Sequence, residues 1–279
     1  MKNIVSTGAL ALALLLGAQS ARADLMLYPT RVELEKNQRA AQVELVNRGT
    51  KSETYRISIV NRRMTETGEI VEAKEAQPGE QFASPMLSYS PRQVTLQPGV
   101  GQTVRISVRK PADLATGEYR SHLQFDRVAD AEGQSSLEAV TEPEEGQIAI
   151  VLQALVGASI PVIVRHGDTA VTAMLEDLKV EPANEKVKTP VLVFAIRRDG
   201  NRSVYGDLVV EFAAAGARPV ALARVAGVAV YVPNIQRLAR MPLTLPDGLA
   251  LKNGTLTLRF STRPDAGAKL LAQATLALP

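Results

Sequence analysis

The stretch Gly117-Glu118-Tyr119-Arg120-Ser121-His122-Leu123-Gln124-Phe125 decides the fold. Tyr119, Ser121, Leu123 and Phe125 alternate with Arg120, His122 and Gln124. A side-chain period of two marks a half-buried strand of an antiparallel sheet. Outward from it, Val104, Ile106 and Val108 alternate with Thr103, Arg105 and Ser107, and Tyr55, Ile57 and Ile59 alternate with Arg56 and Ser58. Turn signals punctuate these runs at Asn47-Arg48-Gly49, Glu66-Thr67-Gly68, Pro78-Gly79 and Pro98-Gly99. Short strands at this spacing, with no long helical period, predict a β-sandwich or barrel.

After Arg165-His166-Gly167 the pattern restarts. Val191, Val193 and Ala195 alternate with Leu192, Phe194 and Ile196, then come Leu208, Val210 and Phe212, the run Val228 to Val232, Leu256, Leu258 and Phe260, and a terminal strand near Leu271 to Leu278. Asp199-Gly200 and Asn253-Gly254 are turn dipeptides. A chain of 279 residues is long enough for two such domains, each with its own core. They are expected at 24–165 and 167–279, joined by a hinge so short that it sets a fixed angle and leaves a cleft.

Composition narrows the chemistry. With 46% hydrophobic and 22% charged residues the chain reads as an ordinary folded protein. Zero Cys removes disulfides, thiol nucleophiles and Cys-bound metals together. Only two His are present, His122 and His166, and no nucleophile motif accompanies them, so both are expected to be solvated or locally hydrogen-bonded. Gly99-Val100-Gly101 is no phosphate cradle, since no helix follows it to lend a dipole. A hydrolase would need an acid–base constellation that the sequence does not offer. No catalytic residue, metal or cofactor is therefore expected.

Residues 1–23 carry Lys2, an apolar run from Ala9 to Leu16 and the small-x-small tripeptide Ala21-Arg22-Ala23. That is the layout of a cleavable secretory signal, and its apolar core is too short for the roughly 20 residues of a spanning helix. The expected product is an exported protein that starts at Asp24 and does not insert into a membrane; in a bacterium it would be periplasmic. Without Lys2 and Arg22, 30 bases face 29 acids, and near-neutrality argues against a nucleic-acid surface.

The charge is unevenly spread. From Asp126 to Gln147 seven acids stand against Arg127 alone, and a stretch so acidic and so weakly periodic reads as a long loop. Its Glu142, Glu144 and Glu145 are expected to keep the loop solvated and to shield an apolar edge beside it rather than to bind a cation. Directly after it, Gln147 to Val164 is apolar on both faces over 18 residues, against a usual strand of about 3–10. Ile160 to Val164 fits a central strand. An overlong apolar strand before it is an edge that another chain can pair with.

These residues resemble a family. Leu27-Tyr28-Pro29-Thr30-Arg31-Val32, Gln42-Val43-Glu44-Leu45-Val46-Asn47, Tyr89-Ser90-Pro91-Arg92-Gln93-Val94-Thr95-Leu96-Gln97-Pro98-Gly99, Gln102-Thr103-Val104-Arg105 and Gly117 to Leu123 look like the PapD-like periplasmic pilus-assembly chaperones. Beyond residue 165 the likeness rests on Asp199-Gly200-Asn201-Arg202-Ser203-Val204-Tyr205-Gly206-Asp207-Leu208 and the strand count. The resemblance implies an all-β protein of two immunoglobulin-like β-sandwich domains at an angle with a cleft between them, and no enzymatic activity. It implies a pilus or fimbrial subunit as partner, delivered to an outer-membrane usher. It also implies a donor strand that lends alternate apolar side chains to the subunit, a form of β-augmentation. Counting back from Arg165 places that face at Ile148, Ile150, Leu152, Ala154 and Val156. A dimer that caps this strand with a second copy is left open.

Family chaperones hold the subunit's C-terminal carboxylate with two cations, and Arg31 matches the first. On an alternating strand Arg31 lies opposite Val32 and Leu34 and so points away from the core they face. The second cation departs from the pattern, because its position falls on Pro161. Arg92 and Arg120 are the auxiliary candidates, and the other reading has Arg31 acting mainly alone. Pro161 also removes a ladder donor. The alternative to a chaperone is an exported structural or adhesive β-sandwich protein of the cell surface; against it stand the two-domain layout and an overlong strand internal to the chain.

Overall fold

A computed structural model describes residues 25–128, 157–185 and 187–279. The signal segment, most of the acidic stretch and the donor face Ile148, Ile150, Leu152, Ala154 and Val156 lie outside the described residues. The architecture is all-β, a pair of immunoglobulin-like sandwiches.

In the first sandwich one sheet has the order β1 (Leu25–Tyr28), β3 (Ala40–Asn47), β9 (Gly101–Val108), β7 (Leu87–Ser90). The facing sheet runs β2 (Val32–Leu34), β11 (Ala158–His166), β10 (Gly117–Arg127), β4 (Glu53–Val60), β8 (Gln93–Leu96). The chain changes sheets between β1 and β2, through Pro29, Thr30 and Arg31. Alternate apolar residues from both sheets close the core: Val43, Leu45, Val104 and Ile106 from one, Leu34, Ile57, Leu123, Phe125 and Val162 from the other. Each large side chain so buried contributes about 1.5–3 kcal/mol.

Ile160 to Val164 does form an inner strand. It lies between β2, which it meets in parallel from Val162↔Val32 to Val164↔Leu34, and β10, which it meets antiparallel from Gly117↔His166 to Phe125↔Ala158. Pro161 stands opposite His122, and pairing with β2 begins only at the next residue. Between β4 and β7 the chain projects a hairpin, β5 (Arg62–Met64) and β6 (Ile70–Glu72), turned at Gly68 with φ +88°.

The second sandwich packs β12 (Val171–Glu181), β13 (Val191–Gly200) and β16 (Gln236–Pro242) against β15 (Val220–Val230), β14 (Val204–Ala214), β17 (Gly254–Ser261) and β18 (Leu270–Leu278). Its core holds Leu192, Phe194, Ile196, Val210, Phe212, Leu256, Leu258 and Phe260.

One expectation is overturned. β10 is not half-buried: Glu118, Arg120, His122 and Gln124, the polar row, are 2%, 7%, 3% and 9% exposed. The cause is tertiary. The outward face of this sheet meets the second sandwich and the hairpin, so that Met64, Ile163, Ala229 and Tyr231 form a third apolar cluster at the junction, with Tyr205 against it. His122 is accordingly not solvated, and its Nδ1 has no hydrogen-bond partner among the described residues.

Candidate functional site

The junction between the sandwiches gathers the charged side chains. On the outward face of the first sandwich the β10–β11 register pairs Glu118 with Arg165, Arg120 with Ile163 and His122 with Pro161. The bend before β2 adds Arg31, and β2 adds Glu33. From the second sandwich come Arg202, Ser203, Tyr205 and Tyr231, and a cleft of about 940 Å³ opens between Tyr28, Arg31 and Glu33 on one wall and Arg202, Tyr205 and Arg263 on the other.

Arg31 is largely enclosed, its side chain 8% exposed. Its Nε donates to Glu33 and its Nη1 to the Tyr231 hydroxyl at 2.9 Å. Its guanidinium lies 4.4 Å from the Tyr205 ring centroid and 5.3 Å from that of Tyr231. Arg120 reaches the same Tyr231 ring from β10, at 4.1 Å. Cation–π contact gives a desolvated guanidinium about 2 kcal/mol, but it satisfies no N–H. Arg31 Nη2 and Arg120 Nε and Nη1 are buried without a hydrogen-bond partner among the described residues.

The electrostatics follow from this crowding. Burial pushes the Arg120 pKa down, against the pull of Tyr231 and Glu118. Burial drives His122 down to about 3, helped by the positive charges of Arg120, Arg62 and Arg31, so the imidazole is neutral near pH 7. Burial works to raise the pKa of Glu33, but the Arg165 hydrogen bond and the charges of Arg31 and Arg165 outweigh it and hold the carboxyl at about 2. Arg165 is pulled upward: burial opposes its charge, and the carboxylates of Glu33 and Glu118 more than offset that.

A second network lies beside the first. Glu118, wholly enclosed, accepts from Arg165 Nε at 2.9 Å, from the Ser203 amide at 3.1 Å and from the Ser203 hydroxyl, which in turn accepts from the Val232 amide at 3.0 Å. Arg165 also donates to Glu33 at 2.9 Å and to Glu35, and Arg202 of the second sandwich reaches Glu35 at 2.9 Å. These bonds tie the two sandwiches together through charge.

Of the cations expected from the sequence, Arg31 and Arg120 meet at Tyr231. Arg92 goes elsewhere: its guanidinium lies 5.0 Å from the Tyr89 ring and donates to the Tyr89 hydroxyl at 3.2 Å, on the turn between β7 and β8. Arg120 is one strand over from the Pro161 position and one pleat along it, since its own register partner is Ile163. Sequence reasoning missed Glu33, Glu118, Arg165 and the tyrosines as parts of the site. Glu118 and Tyr205 stood inside quoted motifs; Tyr231, within the apolar run Val228 to Val232, carried no signal. Among the described residues no group of three or more His, Asp or Glu is placed to hold a metal.

No protein-family model and no curated protein matches the chain. Solved structures do. The YadV chaperone is 12% identical over 92% of this chain and 100% of its own, with a TM-score of 0.46. The CsuC–CsuE chaperone–tip adhesion subunit complex of Acinetobacter baumannii is 11% identical over 92% and 100%, with a TM-score of 0.44. The SafB chaperone in complex with the SafA pilin of Salmonella enterica is 15% identical over 91% and 96%, with a TM-score of 0.42.

Proposed function

We propose that the chain is a periplasmic chaperone that stabilises a pilus or fimbrial subunit by donor-strand complementation and passes it to an outer-membrane usher. The observation that carries the reading is the meeting of Arg31 and Arg120 at Tyr231, with three N–H-bearing nitrogens at the junction of the sandwiches left without a partner among the described residues. A carboxylate is the acceptor that two guanidiniums take best, in short charge-assisted bonds. In this reading a subunit's C-terminal carboxylate enters by the cleft at Arg31, and Arg120 supplies the second charge in place of the residue that Pro161 displaced. Arg31 is already bound to Glu33, so the incoming carboxylate competes with it, and Tyr231 swings aside from both cations. The donor face Ile148, Ile150, Leu152, Ala154 and Val156 then gives affinity along its length. Each apolar side chain adds about 1.5–3 kcal/mol and each ladder bond a net of roughly 0.5–1.5.

The test is affinity purification of the tagged protein from the periplasm of its own host, wild type beside Arg31→Ala, Arg120→Met and Leu152→Glu. The expected result is a small β-rich exported protein at one-to-one ratio with the wild type, reduced in all three variants. Retention of the partner by Arg31→Ala and Leu152→Glu would overturn the reading.

A further inference from the structure

Most of the buried nitrogens that lack a partner fall in one place. Of six such side-chain atoms among the described residues, five belong to Arg31 (Nη2), Arg62 (Nε), Arg120 (Nε and Nη1) and His122 (Nδ1). Arg120 and His122 project two residues apart from the outward face of β10. Arg62, on the hairpin across from that face, donates Nη2 to Gln124, the next residue of the row, at 2.7 Å. The charges of Arg120, Arg62 and Arg31 all act on His122.

The acids nearby are committed elsewhere. Glu118 is held by Arg165 and Ser203, Glu80 by Arg63, Glu33 by Arg31 and Arg165, and Asp126 accepts from Gln124. Neither Arg62 nor Arg120 has an ion-pair partner among the described residues. Arg120, enclosed and feeling Glu118 only at a distance, is a costly charge to leave without an ion pair, and Arg62, half-buried, adds an enclosed Nε; buried charges in folded proteins are paired.

We propose that Arg62, Arg120 and His122, with Arg31 at the rim, form a halide site that takes chloride in the free protein. Gln124 accepts from Arg62, and Glu33 and the Tyr231 hydroxyl accept from Arg31, so the nitrogens still without an acceptor among the described residues are Arg120 Nε and Nη1, Arg31 Nη2, Arg62 Nε and His122 Nδ1, which carries its hydrogen when the other ring nitrogen is bare. The unpaired atoms are wholly buried, which favours a monatomic ion over a tetrahedral oxyanion with four oxygens to satisfy. The inference rests on these side chains and not on the chaperone reading.

Two measurements test it, both on the full-length protein without any partner. Crystals grown in bromide are expected to show an anomalous peak within hydrogen-bonding distance of Arg120 and His122. Melting at matched ionic strength is expected to be higher in chloride than in gluconate by about 2–4 °C, and Arg120→Met, still folded, is expected to lose that difference. Absence of the peak together with halide-independent melting overturns the site. So does a carboxylate of residues 129–156 seated there in the density, and so does a melting response to sulfate that halides do not give. If bromide fails to bind while Arg31→Ala still loses the co-purifying protein, this inference falls and the chaperone reading stands. If bromide binds and the partner ignores Arg31, the reverse holds.

Discussion

Arg120 is the residue whose burial is hardest to justify by stability alone. It is 7% exposed, its guanidinium faces a tyrosine ring, and two of its nitrogens have no partner among the described residues. Replacing a poorly compensated buried charge by an apolar side chain of similar length commonly stabilises. Arg120→Met is therefore expected to raise the melting temperature in halide-free buffer by about 2–4 °C, the equivalent of roughly 1 kcal/mol for a domain this size. A fall in melting temperature would show that the cation–π contact outweighs the charge. His122 adds a pH signature. Its folded pKa is about 3 against an ordinary 6.5, so between those values the unfolded chain binds the extra proton. Stability must then fall as pH drops from 6.5 toward 3, with a slope approaching ~1.4 kcal/mol per pH unit. Glu33 is also depressed, from 4.5 to about 2, and its contribution is present above 4.5 and is lost as pH falls through that lower window. Between 6.5 and 4.5 the slope from these two groups belongs to His122 alone. His122→Phe is expected to flatten denaturant-derived stability over that interval; an unchanged slope would place the titration elsewhere.

At the scale of elements, strand type was legible and strand environment was not. The rows Tyr119, Leu123, Phe125 and Val104, Ile106 face the core as the period of two requires, because a pleated strand has no other way to hide them. The polar row of β10 looked solvated for the same reason, and the inference failed because its cover comes from far along the chain. Tyr231 reaches Arg120 and Arg31 from the second sandwich, and no local pattern marks it. The hairpin β5–β6 is the other cover. Its turn was visible in Glu66-Thr67-Gly68, but its purpose was not: Glu66 accepts the Leu238 amide of β16 at 2.8 Å, and Asn234 donates to Met64 at 3.0 Å. Gly68 sits at the contact with φ +88°, and a Cβ there would lie 2.2 Å from Arg237 Nε. A non-glycine residue at that φ costs more than about 1 kcal/mol even if the arginine gives way. Gly68→Ala is expected to lower stability by at least that much and to speed hydrogen exchange at the Leu238 amide. Unaltered protection of Leu238 would mean the hairpin is not what holds β16.

For the whole molecule, the question is whether the sandwiches melt as one body. Apolar contact at the junction is modest, the cluster of Met64, Ile163, Ala229 and Tyr231, and a surface of that size does not by itself fix two domains. The charged network does more. Glu118 alone joins Arg165 of the first sandwich to the amide and hydroxyl of Ser203 in the second, and Glu35 repeats the link through Arg202. Breaking a buried pair by deleting one member costs about 3–5 kcal/mol, since the surviving charge is left uncompensated. In Glu118→Ala the survivor is Arg165, which keeps Glu33 and Glu35, so the loss is expected at the lower end of that range. The consequence is directional. Each sandwich retains its own core, and only the bond between them weakens. Calorimetry of Glu118→Ala is therefore expected to resolve two transitions where the wild type shows one, with small-angle scattering reporting a wider spread of particle dimensions. A single transition, merely shifted down, would show that the hairpin and Glu35 suffice to couple the sandwiches. The cleft at Arg31 would then keep its shape without Glu118, and the orientation of the two sandwiches would rest on the β5–β6 hairpin and the Glu35–Arg202 pair rather than on Glu118.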